Sequence, residues 1–248
     1  MSIRRFMINS RNIRNGFASF DGELFNHMVR VLRLGPGDPL LLVDEKGIEC
    51  QGIIDQVDRD WVVVKVITSS LDAPQDISAP RITICQALPK GEKTELILQK
   101  GTELGVHDFW LFGGCRSVAR IREAQLNTKL ERWNRITAEA ARQCGRRTIP
   151  KVIWLASAKE AAESATHDLR LLLWEGECTN RLKNALAGQG TPGSAIVSIG
   201  PEGGFDPLEV EHFSRQSFQP VSLGERILRT ETASLAITAI LQYIWEDI

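Results

Sequence analysis

No stretch of this chain approaches the roughly 20 consecutive apolar residues that span a bilayer, and no apolar signal segment follows Met1-Ser2-Ile3-Arg4-Arg5. The expectation is a cytoplasmic protein with no membrane partner. Cysteine is sparse: the five thiols (Cys50, Cys85, Cys115, Cys144, Cys178) are odd in number and form no CxxC pair. That pattern argues against a disulfide framework or a structural zinc site and fits a reducing compartment. The four histidines (His27, His107, His167, His212) are scattered and make no HExxH, so each reads as a surface or packed residue and no metal is expected. A GxSxG elbow is missing, which disfavours a serine hydrolase. Neither GxxxxGK[ST] nor GxGxxG occurs, and Lys90-Gly91-Glu92-Lys93 has the wrong spacing for a phosphate loop. A nucleotide-dependent kinase or oxidoreductase is therefore a poor reading. There is no bulk positive charge either. The formal net charge is −1, so any contact with nucleic acid must come from a local basic face.

What is present suits two modest globular domains: 248 residues, 43% hydrophobic and 25% charged. The first 70 residues read as β-rich with one helix. Pro39–Asp44 is a short apolar run, and Cys50–Val57 and Trp61–Thr68 flank the turn-forming Asp58-Arg59-Asp60, a hairpin signal. Asp21 is positioned to cap a helix reaching Leu34, with Leu24, Met28 or Val29, and Leu32 on one face. Strands this short suggest a compact barrel. Residues 71–81, with two prolines and little apolar content, are the linker candidate.

Beyond it, apolar β-branched runs alternate with helical periodicity. Strands are expected at Ile82–Leu88, Phe109–Phe112, Val152–Leu155, Leu169–Trp174, Ala195–Ile199 and Val221–Leu223; helices at Glu92–Leu104, ended by Gly105, and Ala124–Cys144. Such alternation predicts a parallel sheet covered by helices, an α/β class. Asp206-Pro207-Leu208-Glu209 supplies a cap, a first-turn proline and a reciprocal glutamate, so a helix begins at Asp206. Thr230 is expected to cap the last helix, which runs to about Trp245.

Three loops after predicted strands hold residues that packing alone does not demand: Trp174-Glu175-Gly176-Glu177, Ile199–Phe205, and Leu223–Thr232. The carboxyl ends of parallel strands form a ligand crevice, so these loops converge if their strands are neighbours. The glycine run Gly200-Pro201-Glu202-Gly203-Gly204 reads equally well as a tight strand-to-helix turn. Cys178 lies in one of these loops and reads as a spectator thiol. Arginines cluster despite the near-neutral total: Arg4, Arg5, Arg11, Arg14, Arg30 and Arg33; Arg116, Arg120 and Arg122; Arg142, Arg146 and Arg147. Any one cluster is a solvated face; together they point to an anionic polymer, since guanidinium suits bidentate phosphate contact.

These segments resemble a known family. His27–Leu34 followed by Gly37-Asp38, Lys90-Gly91-Glu92-Lys93, Lys100–Gly105, Arg132-Trp133, Ala140–Arg146, Ile199–Phe205 and Leu223–Ala233 are similar to the bacterial 16S ribosomal RNA uridine-N3-methyltransferases. The resemblance implies a PUA-like RNA-binding β-barrel over residues 1–72 and a SPOUT methyltransferase domain with a trefoil knot over 73–248. Pattern reasoning alone would reject a knot, because chains almost never thread. It further implies a homodimer acting on 16S rRNA of the small ribosomal subunit, with S-adenosyl-L-methionine bound in the knotted loops.

On that reading the donor is held by Trp174, Glu175, Ile199, Gly200, Pro201, Glu202, Gly203, Gly204, Leu223, Gly224, Ile227, Leu228, Arg229, Thr232 and Ala233, with Leu223, Ile227 and Leu228 about the adenine. Arg229 is the candidate for contacting the uracil oxygens, and Glu231 or Glu202 for accepting the proton from N3. Arg4, Arg11, Arg14, Arg30, Arg33, Arg116, Arg120, Arg142 and Arg146 are the candidate RNA contacts. Two further readings stay open: a SPOUT enzyme acting on another RNA position, and an RNA-binding assembly factor without chemistry.

Overall fold

The computed structural model describes residues 4–45, 48–69, 80–146, 148–176, 180–188 and 190–245. The chain divides into two compact units, Met1–Gln75 with Ala141–Thr148, and Asp76–Ala140 with Ile149–Ile248. The expected linker falls almost wholly outside the described residues; only Pro80 and Arg81 of it are seen, leading into a strand.

In the first unit the strands are β1 (Arg4–Met7), β2 (Ile13–Arg14), β3 (Phe17–Asp21), β4 (Pro39–Val43), β5 (Glu49–Val57) and β6 (Trp61–Ser69). They form one sheet in the order β1-β4-β5-β6-β3-β2, antiparallel except for the β1–β4 pair. Two-residue alternation sets its inner face. Ala18 and Phe20 of β3 and Val62 and Val64 of β6 join Phe6, Leu40 and Leu42 in the core. The Asp58 carboxylate accepts the Arg59 amide at 2.7 Å in the expected hairpin turn. The expected single helix is instead a short α1 (Gly22–Phe25) that widens into a π-turn over Asn26–Val31, and Asp21 makes no side-chain cap. Packing explains the outcome: Phe25 and Met28 are buried, with Leu24, Val29 and Leu32 against the same core.

The second unit reads β7 (Arg81–Ala87), α2 (Lys93–Glu103), β8 (Asp108–Phe112), α3 (Glu123–Cys144), β9 (Lys151–Leu155), α4 (Ala158–Glu163), β10 (Leu169–Leu173), α5 (Leu182–Leu186), β11 (Ser194–Ile199), α6 (Pro207–Arg215), β12 (Gln219–Val221) and α7 (Thr230–Ile244). Every pairing in its sheet is parallel, in the order β12-β10-β11-β7-β8-β9. One core joins the sheet to Ile97 and Leu98 of α2, Trp133 of α3 and Ile237 and Leu241 of α7. A second core collects Ala158, Ala161 and Ala162 of α4 with Phe205, Phe213 and Phe218. This is the expected α/β layering, and the helices cover both faces of the sheet as buried parallel strands require.

Two local expectations are corrected. The last strand lies two residues earlier than Val221–Leu223, at Gln219–Val221. Pro220 is tolerated there because β12 is an edge strand, and Leu223 is released into the following loop. Thr230 does not cap α7; Arg229 holds that position without a side-chain bond. The Thr230 hydroxyl is drawn away to a tertiary partner, the Gly200 carbonyl at 2.6 Å.

Candidate active-site cleft

Because β12, β10 and β11 are neighbours running the same way, the loops after them emerge side by side. Together they line a cleft of about 730 Å³, within the range of roughly 300–1,000 Å³ usual for cofactor sites. Leu173–Gly176 form one wall, Ile199–Glu202 another, and Ser222–Thr230 with Ala233 the third. Leu223 and Leu228 are half-buried against the core, whereas Ile227 is 81% exposed. Gly203, Gly204 and Thr232 stand outside the lining, and Glu177 and Cys178 lie outside the described residues.

The glycine run owes much to packing within its own turn. A β-carbon on Gly204, at φ +69°, would lie 2.3 Å from the Glu175 carboxylate, and one on Gly203 would lie 3.2 Å from Arg116. The run then enters α6 through the expected capping box: Asp206 accepts the Leu208 amide at 3.1 Å and Glu209 accepts the Asp206 amide at 2.9 Å. Glu209 is buried, and its other oxygen takes the Cys115 amide at 2.8 Å, tying in the loop after β8.

Beneath the cleft lies a buried polar clasp. Gln86, fully buried near the end of β7, donates to the Ala87 carbonyl at 2.8 Å and the Thr230 hydroxyl at 2.9 Å. It accepts from Ser234 at 2.6 Å. With the Thr230 bond to Gly200, the clasp joins the ends of β7 and β11 to the start of α7.

Lys93, at the start of α2, reaches Glu202 at 2.8 Å and Glu231 at 3.2 Å. The pairing with Glu202 raises its pKa, against a smaller desolvation penalty. Burial alone would push the Glu202 carboxyl upward, but Lys93 and the Lys90 amide hold it below the ordinary value. One Glu231 oxygen has the Lys93 charge nearby but no well-aligned hydrogen bond among the described residues.

The family models supply the deciding comparison: an RNA methyltransferase domain matches residues 77–242 and an RNA methyltransferase PUA domain matches residues 20–67. Ribosomal RNA small subunit methyltransferase E of Bacillus subtilis is 32% identical over 91% of this chain and 89% of its own length. The chain belongs to this methyltransferase family. Its Mycobacterium bovis namesake is 30% identical over 97% of the chain and 93% of that protein. A crystal structure of the Neisseria gonorrhoeae enzyme bound to S-adenosyl methionine superposes with a TM-score of 0.85, 28% identity and 98% coverage of both chains. A Legionella pneumophila methyltransferase structure containing SAM gives 0.84, 27% and 98% of both.

Against this family background the expected residues separate. Arg229 is exposed at the cleft and has no ion pair among the described residues. Glu202 lines the cleft but is committed to Lys93; Glu231 braces the same lysine from outside the lining. Arg120 spends its guanidinium on the Gly114 and Cys115 carbonyls at 2.7 and 3.1 Å, and Arg116 bridges Gly203 and Asp206. Arg4, Arg11, Arg14 and Arg33 are exposed; Arg30 stacks over Phe25 and lies 3.9 Å from Asp60. Arg142 and Arg146 are half-buried, and Arg5 is held by Glu49 and the Gly145 carbonyl. Sequence reasoning missed Gln86, Lys93 and Arg181 as parts of this site. An amide in a mainly apolar, β-branched strand was the available signal for Gln86; for Arg181, ion-paired to Glu225 at 3.2 Å, there was none. Burial pushes the Cys85 thiol up to about 12, and the Cys50 and Cys115 thiols upward as well. Among the described residues no His, Cys, Asp and Glu group could hold a metal, and no helix is long and apolar enough to cross a membrane.

Proposed function

We propose that this protein methylates N3 of a uridine in the 16S rRNA of the small ribosomal subunit, with S-adenosylmethionine as donor. The observation that carries the reading is the convergence of loops from three adjacent parallel strands on one cleft, in a chain matched along its length by an enzyme with bound S-adenosyl methionine.

The residues present fit that donor. Leu223, Leu228 and Ile227 offer apolar surface for an adenine, and residues 199–202 and 222–229 line the cleft beside them. Carboxylates of Glu175 and Glu225 also face the cleft and suit cationic groups. Trp174, Ala233 and these three loops would hold the donor, which when bound supplies an activated methyl group.

The chain's own task is to hold the uracil and ease loss of its N3 proton, because a protonated imide nitrogen is a poor nucleophile. The target base must leave its stack to enter the cleft. Arg229, planar, always charged and without an ion pair among the described residues, would face the uracil oxygens where negative charge grows. Glu202 and Glu231 are both ion-paired to Lys93. We assign both to positioning and the N3 proton to water in the open cleft. The trefoil knot, the cytoplasmic location and the homodimer belong to the same proposal. Exposed Leu96 of α2 and Ile240, Tyr243 and Ile244 of α7 offer apolar surface for a second copy.

Nucleoside mass spectrometry of rRNA from a deletion strain tests the reaction: 3-methyluridine should vanish and return on complementation. Its persistence would remove the assignment. Arg229→Ala should lower the methylation rate by about 10²–10³-fold while calorimetry shows donor affinity within a few-fold of wild type. Wild-type turnover would end the catalytic role of Arg229.

A further inference from the structure

The outward face of the N-terminal sheet carries a feature that the cleft does not use. Cross-strand partners in an antiparallel pair project on the same side, and here the register aligns Arg14 of β2 with Phe17 of β3, Phe17 with Lys65 of β6, and Lys65 with Ile53 of β5. Arg14 and Lys65 are exposed, and Phe17 is 41% exposed where its neighbours Ala18 and Phe20 fill the core. Ile67, one alternation beyond Lys65, is 54% exposed. The next row, Ser19 and Val63, is uncharged. The nearest carboxylate along β3, Asp21, pairs instead with Trp61 at the far end. Phe17 thus presents its ring to solvent between two cations, and the exposed Asp55, in the β5 bulge, lies beyond β6, two strands from Phe17.

We propose that this row is a docking strip for single-stranded RNA, in which an unstacked base lies on Phe17 while Arg14 and Lys65 neutralise the flanking phosphates. The proposal rests on the RNA-substrate reading and deepens it. Aromatic stacking accepts any base, and charges on either side of the ring follow the backbone that carries it. A protein partner fits less well. The strip's charge is of one sign, and its apolar portion is small.

The test titrates wild type and variants with a short fluorescein-labelled single-stranded RNA of mixed sequence, and with the same sequence annealed as a duplex. Phe17→Ala should weaken single-strand binding by about 5- to 100-fold, Phe17→Tyr should restore it, and the duplex should respond to neither, since its bases are already stacked. Arg14→Ala combined with Lys65→Ala should flatten the dependence of log affinity on log salt by about 1.4. Circular dichroism spectra should match the wild type, certifying folding, and calorimetric affinity for S-adenosylmethionine should stay at the wild-type value throughout, separating this proposal from the cleft. Equal losses on single strand and duplex, failure of Phe17→Tyr to rescue, or unchanged affinity in all variants would overturn the strip. Loss of donor binding in wild type would instead remove the methyltransferase reading.

Discussion

Replacing Gln86 with leucine preserves the volume of a buried side chain and deletes its amide. Three short bonds disappear: to the Ala87 carbonyl at 2.8 Å, to the Thr230 hydroxyl at 2.9 Å and from Ser234 at 2.6 Å. Each neutral bond contributes about 1 kcal/mol net, and stranding a buried partner costs more. Some of the loss is recovered. Ser234 keeps the Thr230 carbonyl at 3.0 Å as an acceptor, and Thr230 keeps its bond to Gly200. The balance is a destabilisation of about 2 kcal/mol. Urea unfolding followed by tryptophan fluorescence measures it. Of the six tryptophans only Trp61 belongs to the first unit, so the signal reports the second. The midpoint should fall at unchanged slope. In a cycle with Thr230→Val the coupling should be about 1 kcal/mol. A loss below about 0.5 kcal/mol, the size of an ordinary surface change, would refute the view that this amide holds the strand ends and α7 together.

Two further expectations concern packing and charge. Gly101→Ala places a β-carbon 2.8 Å from the Phe109 ring in a filled core, so it should destabilise by about 1–3 kcal/mol although alanine is the better helix former; a stabilised variant would show that α2 shifts freely. The pairing with Lys93 and the Lys90 amide hold the Glu202 carboxyl below the ordinary glutamate value in the fold. The stability it contributes is therefore complete above that value and lost as pH falls through the lower folded one. Glu202→Gln should flatten this acid limb of the stability curve, and superimposable wild-type and variant acid titrations would show that the Lys93 pairing contributes nothing.

Local signals in the sequence translated well into structure. Asp206, Pro207 and Glu209 specify the start of α6 within four residues, and it begins there. The long periodic stripe of α3 and the apolar strands β7, β8 and β11 follow from spacing alone, within a residue or so at their ends. Failures occurred where a distant partner competes. Thr230 has the chemistry of a cap, but its hydroxyl goes to Gly200, 30 residues away. The β12 boundary moved because pairing with β10 selected Gln219–Val221, leaving Leu223 for the cleft. A π-turn after Phe25 has no signature in periodicity when the buried face stays the same. The loops could be recognised from composition, but their meeting depended on β12 and β11 flanking β10. Strand order is a property of the whole sheet, so none of the three loop sequences encodes it. Lys93 was missed for a related reason: its partners Glu202 and Glu231 are remote in the chain.

Glu209 gives the glycine turn a particular vulnerability. One of its oxygens completes a contact three residues back, and the other holds an amide 94 positions away. The group that starts a helix is thus also the rivet between the glycine turn and the loop after β8. Asp206 can be exchanged for serine or threonine with its capping chemistry intact. Position 209 has no such latitude, because a replacement must satisfy a neighbour and a stranger at once. Glutamine can offer only one acceptor oxygen to the two amides. Drift in this segment should therefore be free at the cap and frozen one turn later.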